Sequence, residues 1–439
     1  MSTVHFPFES HRLDNGLRVI LQQDRTTPVV AVHLMYHVGS RNERPGRTGF
    51  AHLFEHLLFQ GSENVPREGH FRFIQNAGGT LNGTTWFDRT NYFETVPSNE
   101  LDLALWLESD RMGFFAPSIT QAKLDNQRDV VKNERRQSYE NRPYGLAFET
   151  VIRNAYPPGH PYRHPTIGFM EDLDAATLED VHAFFSTYYI PNNATLVVCG
   201  DFDLSHALAR VEHFFGDIPA GDDPPPVAVP LLRARAEQRE VITDRVQVPR
   251  VYIMFHSPSF NDPEFEAADV LTSVLADGKS SRMRRELVYE RRIAGEVEAF
   301  TWPTESVGML FAVATARPGV QAAELEGAMQ STIEGLRSEG TGEQELSGAR
   351  NRVRRALIRR LQSVGNRADA LAHAQVLRGD PTYVNQAFSR YDALTPQAVN
   401  AVAQSVLEPE RRTVVTVVPA ESGGDGPYGE NGDGKGELA

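Results

Sequence analysis

The chain is 439 residues long with 40% hydrophobic and 23% charged residues, the balance of a soluble globular protein with enough material for about three domains. Its 58 acidic against 44 basic side chains leave a formal charge of −14, which excludes the basic balance of a nucleic-acid binder and suits neutral or basic partners. The single cysteine, Cys199, excludes an intramolecular disulfide and a thiolate cluster, so any metal must be held by nitrogen and oxygen.

At the N-terminus, "MSTVHFPFESHRLDNGLRVI" has neither a basic start nor a long apolar core, and no later run of about 18 apolar residues reads as a membrane span. A cytoplasmic protein is expected. "LRVILQQ" and "VHLMYHVGS" alternate as strands do, with His33 and His37 read as structural. "GFAHLFEHLLFQGS" (49–62) follows. On a helix, Phe50, Leu53, Phe54, Leu57 and Leu58 gather on one side, and His52, Glu55 and His56 on the other. Two imidazoles four residues apart can aim at one point, the separation by which a helix offers zinc two nitrogen ligands. Isolated helix histidines are more often merely solvated, and a third ligand is needed.

Further along, "ELDLALWLESDRM" has helical spacing, and "SITQAKLDNQRDVVKNERRQSYE" opens with Ser118 three residues before Gln121, a capping-box pattern leading into a second helix. A carboxylate from it would complete a His, His, Glu set with a fourth position for water; spacing allows both Glu134 and Glu140. "AGDDPPPVAVP" (220–230) reads as a linker. Across it the sequence repeats weakly: "VHLMYHVGS" (32–40) matches "VYIMFHSPS" (251–259), and "TLEDVHAFFSTYYIPNNATLVV" (177–198) matches "TPQAVNAVAQSVLEPERRTVVT" (395–416), at offsets of 219 and 218 residues. Two homologous α+β domains, each an antiparallel β-sheet packed with helices, therefore fit better than three. The expected division is a metal-bearing domain at 1–219, a linker at 220–238, a second domain at 239–420 and a disordered Gly-rich tail at 421–439. In the second half the segment matching "HLFEH" is "DVLTS" (269–273), which offers no comparable ligand set. "DGKSS" (277–281) lacks the first glycine of a phosphate loop, and "GDGPYG" (424–429) has no preceding strand, so neither reads as a nucleotide site.

"HLFEH", followed by "RDVVKNERRQ", resembles the pitrilysin or insulinase family of zinc peptidases, whose H-x-x-E-H inverts the commoner H-E-x-x-H. "GGTLNGTTWFDRTNYFETVP", "LESDRM", "HPYRHPTIG" and "YYIPNNATLVVCGDFD" are similar to the processing-peptidase-like branch. The resemblance covers roughly residues 10 to 420 and is far more specific in the first half. It implies the metallohydrolase fold of the processing peptidases, with His52, His56 and Glu134 as ligands of a Zn2+ cofactor and Glu55 as general base. Gln127 stands where a second acidic residue is often found, seven positions before the third ligand, and its amide is expected to orient the site less firmly. Asn82, Gly83, Thr84 and Thr85 match the edge strand to which an extended peptide adds.

The activity implied is a zinc metalloendopeptidase or oligopeptidase acting on unstructured peptides inside a chamber of two halves, this chain being one. No clear arginine and tyrosine pair stands in "VGMLFAVATARPGVQAAEL" (307–325), although Arg317 is nearby, which favours a heterodimer with a zinc-free sister subunit over a homodimer. The alternative is a noncatalytic assembly or scaffold subunit of the same fold, which has no need of all four site residues. A metal-binding protein without hydrolysis would leave Glu55 expendable.

Overall fold

A computed structural model describes residues 5–230, 232 and 236–420; the 421–439 tail lies outside them. The described strands, in chain order, are β1 (Glu9–Arg12), β2 (Arg18–Gln23), β3 (Val29–Tyr36), β4 (Thr80–Thr85), β5 (Thr90–Pro97), β6 (Ala194–Gly200), β7 (Gln238–Asp244), β8 (Arg250–Ser257), β9 (Ala294–Trp302), β10 (Gly308–Ala316) and β11 (Thr413–Pro419). They form a six-stranded sheet, β1-β2-β6-β3-β5-β4, and a five-stranded sheet, β7-β11-β8-β10-β9. Removing β1 leaves the same order in both. The strands built from the repeated segments, β3 with β8 and β6 with β11, hold matching central places, so the internal repeat is a repeat of topology.

The sheets depart from the all-antiparallel expectation at one pair each. β2 runs parallel to β6, and β7 parallel to β11. The last strand of each half returns after a long helical connection and inserts between two strands already laid down, antiparallel to one neighbour and parallel to the other.

One face of each sheet is covered by helices of its own half. The other face is covered by a helix from the opposite half. Ala147–Ala155, in the first half, sets Ala147, Val151 and Ile152 against Tyr252, Met254 and Val415 of the second sheet. Val364–Arg378, in the second half, sets Ala368, Leu371 and Ala372 against Ile20, Ala31, Met35 and Val197 of the first. Cys199 is buried in this second layer, a core residue without a disulfide partner. Each fully buried Val, Leu or Met in these layers contributes about 1.5–3 kcal/mol.

Candidate metal centre

The motif helix spans Phe50–Leu57, and its apolar stripe of Phe50, Leu53, Phe54 and Leu57 is buried against the first sheet, which leaves His52, Glu55 and His56 facing out. It begins at Gly49, whose φ of +85° and approach to the Ile167 carbonyl, 2.6 Å from where a Cβ would lie, exclude a side chain. The free N–H groups of this first turn are met by the buried Glu43, whose carboxylate accepts from Gly49 N at 2.9 Å and Ala51 N at 2.8 Å. His164 Nε2 lies 2.9 Å from the same carboxylate. Burial pushes the Glu43 carboxyl up, and His164 and the two backbone donors pull it back. Glu43 is a site-building residue that sequence reasoning missed. It lies in a loop six residues before Gly49, outside any capping spacing, and its partners Gly49, Ala51 and His164 belong to two segments far apart in the chain.

The second helix, Gln121–Arg135, brings Glu134 over the histidines. His56 Nε2 is 3.3 Å and His52 Nε2 is 3.7 Å from Glu134 Oε2, and the donor atoms of all three lie within 4.8 Å of one another. Neighbouring nitrogen and oxygen ligands around one tetrahedral zinc ion are separated by about 3.4 Å, so this donor set fits such an ion. Its charges suit the role as well. Burial, then the neighbouring His56, lowers His52 to about 4, which keeps it neutral at pH 7, and the His56 contact holds the Glu134 carboxyl below its ordinary value. His52 Nδ1 is buried with no partner, so the outer nitrogen lacks the orienting acceptor usual behind a metal-bound imidazole.

Glu55 stands between this group and β4. Its carboxylate accepts from the Thr85 hydroxyl at 2.8 Å. Burial raises its affinity for a proton, and Thr85, His56 and Arg89 counter that. β4 passes close because residue 83 is glycine: a Cβ there would lie 3.0 Å from Glu55 Cγ and 3.1 Å from Phe59. The strand is the sheet's edge, paired only with β5. At the hairpin Trp86 N donates to Arg89 O at 2.9 Å. By the antiparallel alternation, Thr85 and Gly83 therefore turn their N–H and C=O to the open edge. Gly83 N is met there by the Asn82 side chain at 3.0 Å, and Thr84 faces inward, held by Arg89, whose Nη1 donates to its carbonyl at 2.9 Å.

Of the two carboxylates spacing allowed, Glu134 joins the histidines, while Glu140 lies 3.4 Å from Arg135 at the end of a wider turn, Arg136–Glu140. The second helix is capped by Thr120, whose hydroxyl accepts from Lys123 N at 3.3 Å; Ser118 belongs to a preceding turn and donates to Phe115 O, so the expected capping box does not form. Gln127 is buried on this helix, and its amide nitrogen donates to Asn126 at 2.9 Å rather than to a histidine. In the second half, Asp269 of "DVLTS" accepts from Tyr391 and Thr301, and among the described residues no second group of potential ligands is assembled. Arg317 Nε donates to the Ala294 carbonyl at 3.1 Å. Among the described residues no helix is long and apolar enough to cross a membrane.

Residues 18–166 match the family model described as insulinase (peptidase family M16), and residues 175–353 match the peptidase M16 inactive domain. The zinc protease PqqE of Helicobacter pylori is 30% identical over 83% of this chain and 82% of its own length. The crystal structure of a protease from Helicobacter pylori superposes with a TM-score of 0.90 at 28% identity, covering 94% of this chain and 100% of that one. That of the periplasmic protease PqqL from Escherichia coli gives 0.77 at 18% identity, covering 95% of this chain but 48% of that one, so it shares the fold in a chain about twice as long. The chain belongs to the insulinase family, M16, of peptidases.

Proposed function

We propose that this chain is the metal-bearing half of a zinc-dependent peptidase that hydrolyses unstructured peptides, with His52, His56 and Glu134 holding the ion. The observation that carries the proposal is the convergence of those three donors beside a carboxylate that is oriented but uncommitted to them. Zinc bound there supplies Lewis acidity, polarising a peptide carbonyl and acidifying water. Glu55 takes the proton from the attacking water and delivers it to the leaving amine; the Thr85 hydroxyl fixes its aim, and its raised proton affinity suits a group that must hold the proton between the two steps. Gly83 and Thr85 pair with the backbone of an extended substrate, so affinity is bought with little side-chain selectivity. Asn82 must first release Gly83 N–H, while Thr84 anchors the strand from behind. Gln127, turned away from the histidines, supports the site by packing.

In the same reading, residues 1–219 form the catalytic domain, 220–238 the linker and 239–420 a ligand-free domain that completes one half of a substrate chamber. A zinc-free sister subunit supplies the other half, and the pair works in the cytoplasm. Cell fractionation tests the compartment, for which the periplasmic Escherichia coli protein sets the opposite precedent.

The deciding experiment compares the zinc-loaded chain with its Glu55→Gln variant on a mixture of unstructured peptides, read by mass spectrometry, with zinc content measured in parallel. Cleavage by the parent alone at equal zinc content is expected. Equal cleavage by both, or none from the parent even with the co-purified partner present, would sink the proposal.

A further inference from the structure

The second half repeats the architecture of the metal cleft with different chemistry. Phe265–Leu275 stands where the motif helix stands, and Glu343–Arg360 packs on it as Gln121–Arg135 packs on the motif helix. With "DVLTS" matched to "HLFEH", an offset of 217, Ser273 falls at the place of His56, and the offset of 218 puts Arg352 at the place of Glu134. The contact is kept as well: Arg352 Nε donates to Ser273 Oγ and Nη2 to the Ser273 carbonyl, both at 3.0 Å. Where the first half gathers ligands for a cation, the second carries a built-in cation.

A cavity of about 720 Å³ opens beside this guanidinium, large enough for a small organic ligand. Its walls are mainly apolar, with Phe265, Phe300, Leu357 and Leu377 among them, and three arginines reach it, Arg352 and Arg360 from the helix Glu343–Arg360 and Arg89 from the turn between β4 and β5. Of the three acidic groups on its wall, two are committed elsewhere. Asp88 is buried 3.2 Å from Arg41, and Asp269 accepts from Tyr391 at 2.8 Å and Thr301 at 3.0 Å. Asp277 is half exposed and lies 3.5 Å from Arg352. Arg352 donates to Ser273 through Nε and Nη2, and among the described residues no hydrogen bond is made by its Nη1. A guanidinium has five donors and no acceptor, so the capacity left over in this cavity is for an anion.

We propose that the cavity is a binding site for an organic carboxylate with an apolar body, its carboxylate held by Arg352 and its body against Phe265, Phe300 and Leu357. A fatty acid and the apolar C-terminal residue of a peptide share this chemistry. The proposal stands apart from metal binding, since none of these groups touches His52, His56 or Glu134; Arg89 alone is shared with the edge strand, through Thr84.

Isothermal titration of the full chain with decanoate and with decanol tests it directly. One saturable decanoate site per chain is expected, with decanol weaker by about tenfold or more, as loss of a charge-assisted hydrogen bond predicts. Arg352→Met should lose decanoate by a similar factor, and Leu357→Trp, which fills the cavity, should abolish binding while leaving the melting temperature near that of the parent. If Arg352→Met fails to fold, Leu357→Trp decides. A short peptide ending in leucine, as free acid and as amide, separates the two sources: competition of the acid alone with decanoate identifies a peptide end, and its failure to compete a fatty acid. Decanol binding as tightly as decanoate, undiminished binding by a folded Arg352→Met or by Leu357→Trp, or no heat from either decanoate or the peptide acid overturns the proposal.

Discussion

Gly83→Ala tests how closely the edge strand and Glu55 are fitted to each other. The added Cβ would lie 3.0 Å from Glu55 Cγ, 3.1 Å from Phe59 Cε2 and 3.3 Å from Tyr92 Cδ1, against about 3.5–4.0 Å for relaxed carbon pairs. Phe59 and Tyr92 cannot yield, because the fully buried Arg111 guanidinium is packed on both rings, 4.7 and 4.2 Å from their centres. Glu55 is therefore the group that moves, by about 0.5 Å or more, and its hydrogen bond to Thr85 stretches out of range. Overpacking of this kind costs about 1–3 kcal/mol, offset by up to about 1 kcal/mol because alanine restricts the unfolded chain. Denaturant unfolding of the metal-free parent, Gly83→Ala, Glu55→Ala and the double variant gives the coupling. We expect Gly83→Ala to be destabilising alone and less so by about 1 kcal/mol when Glu55 is alanine. In the zinc-loaded protein the single variant should keep its zinc and lose about 10–100-fold in kcat, the effect of a misplaced base. Equal destabilisation in both backgrounds would refute the contact.

Three further outcomes follow from the site and its surroundings. Glu134→Gln should lose stoichiometric zinc on dialysis while Glu140→Gln keeps it, because only Glu134 faces the histidines; metal analysis distinguishes them, and the reverse result would exchange their roles. Thr85→Val removes the donor to Glu55 and should lower kcat/KM by about tenfold or more at unchanged zinc content, the worth of a hydrogen bond to a charged group. His160, buried with its Nδ1 accepting from Tyr162 N, has its folded-state value lowered to about 4. The unfolded chain therefore takes up that proton first, and stability present above about pH 6.5 falls by up to about 3 kcal/mol as the pH drops towards 4. Urea unfolding of His160→Gln at neutral and acid pH should show a shallower loss than the parent.

The motif helix was legible in the sequence because its two faces have opposite chemistry at one period: the stripe of Phe50, Leu53, Phe54 and Leu57 is buried, and the histidines lie on the other side. The repeat was legible because β3 and β8 must satisfy the same central place in a sheet, which holds their alternation while other positions drift. Spacing could not choose between Glu134 and Glu140, since the wider turn after Arg135 redirects the chain and depends on contacts with Gly168 and Glu149 that no local pattern encodes. The cap at Thr120 was missed for a simpler reason: two hydroxyl residues lie close together, and only the path of the preceding turn decides which meets the helix. Glu43 and Thr85 act on the site across 8 and 30 residues, reaching it by tertiary placement.

The crossed helices also bear on how such a chain can arise and fold. Cut at the linker, residues 1–219 would expose Ile20, Ala31, Met35 and Val197 on a bare sheet face, and residues 239–420 would expose Tyr252, Met254 and Val415. A single ancestral unit of this design would have found its missing helix only on another copy, by an exchange closed under two-fold symmetry. Joining two copies end to end would make that exchange intramolecular, and the effective concentration of one copy for the other would no longer depend on expression level. Thereafter one copy could relinquish its metal ligands without loss of the fold. The ligand-free half would persist as an obligatory folding partner, and fragments bearing the intact motif helix alone would be expected to aggregate when expressed without it.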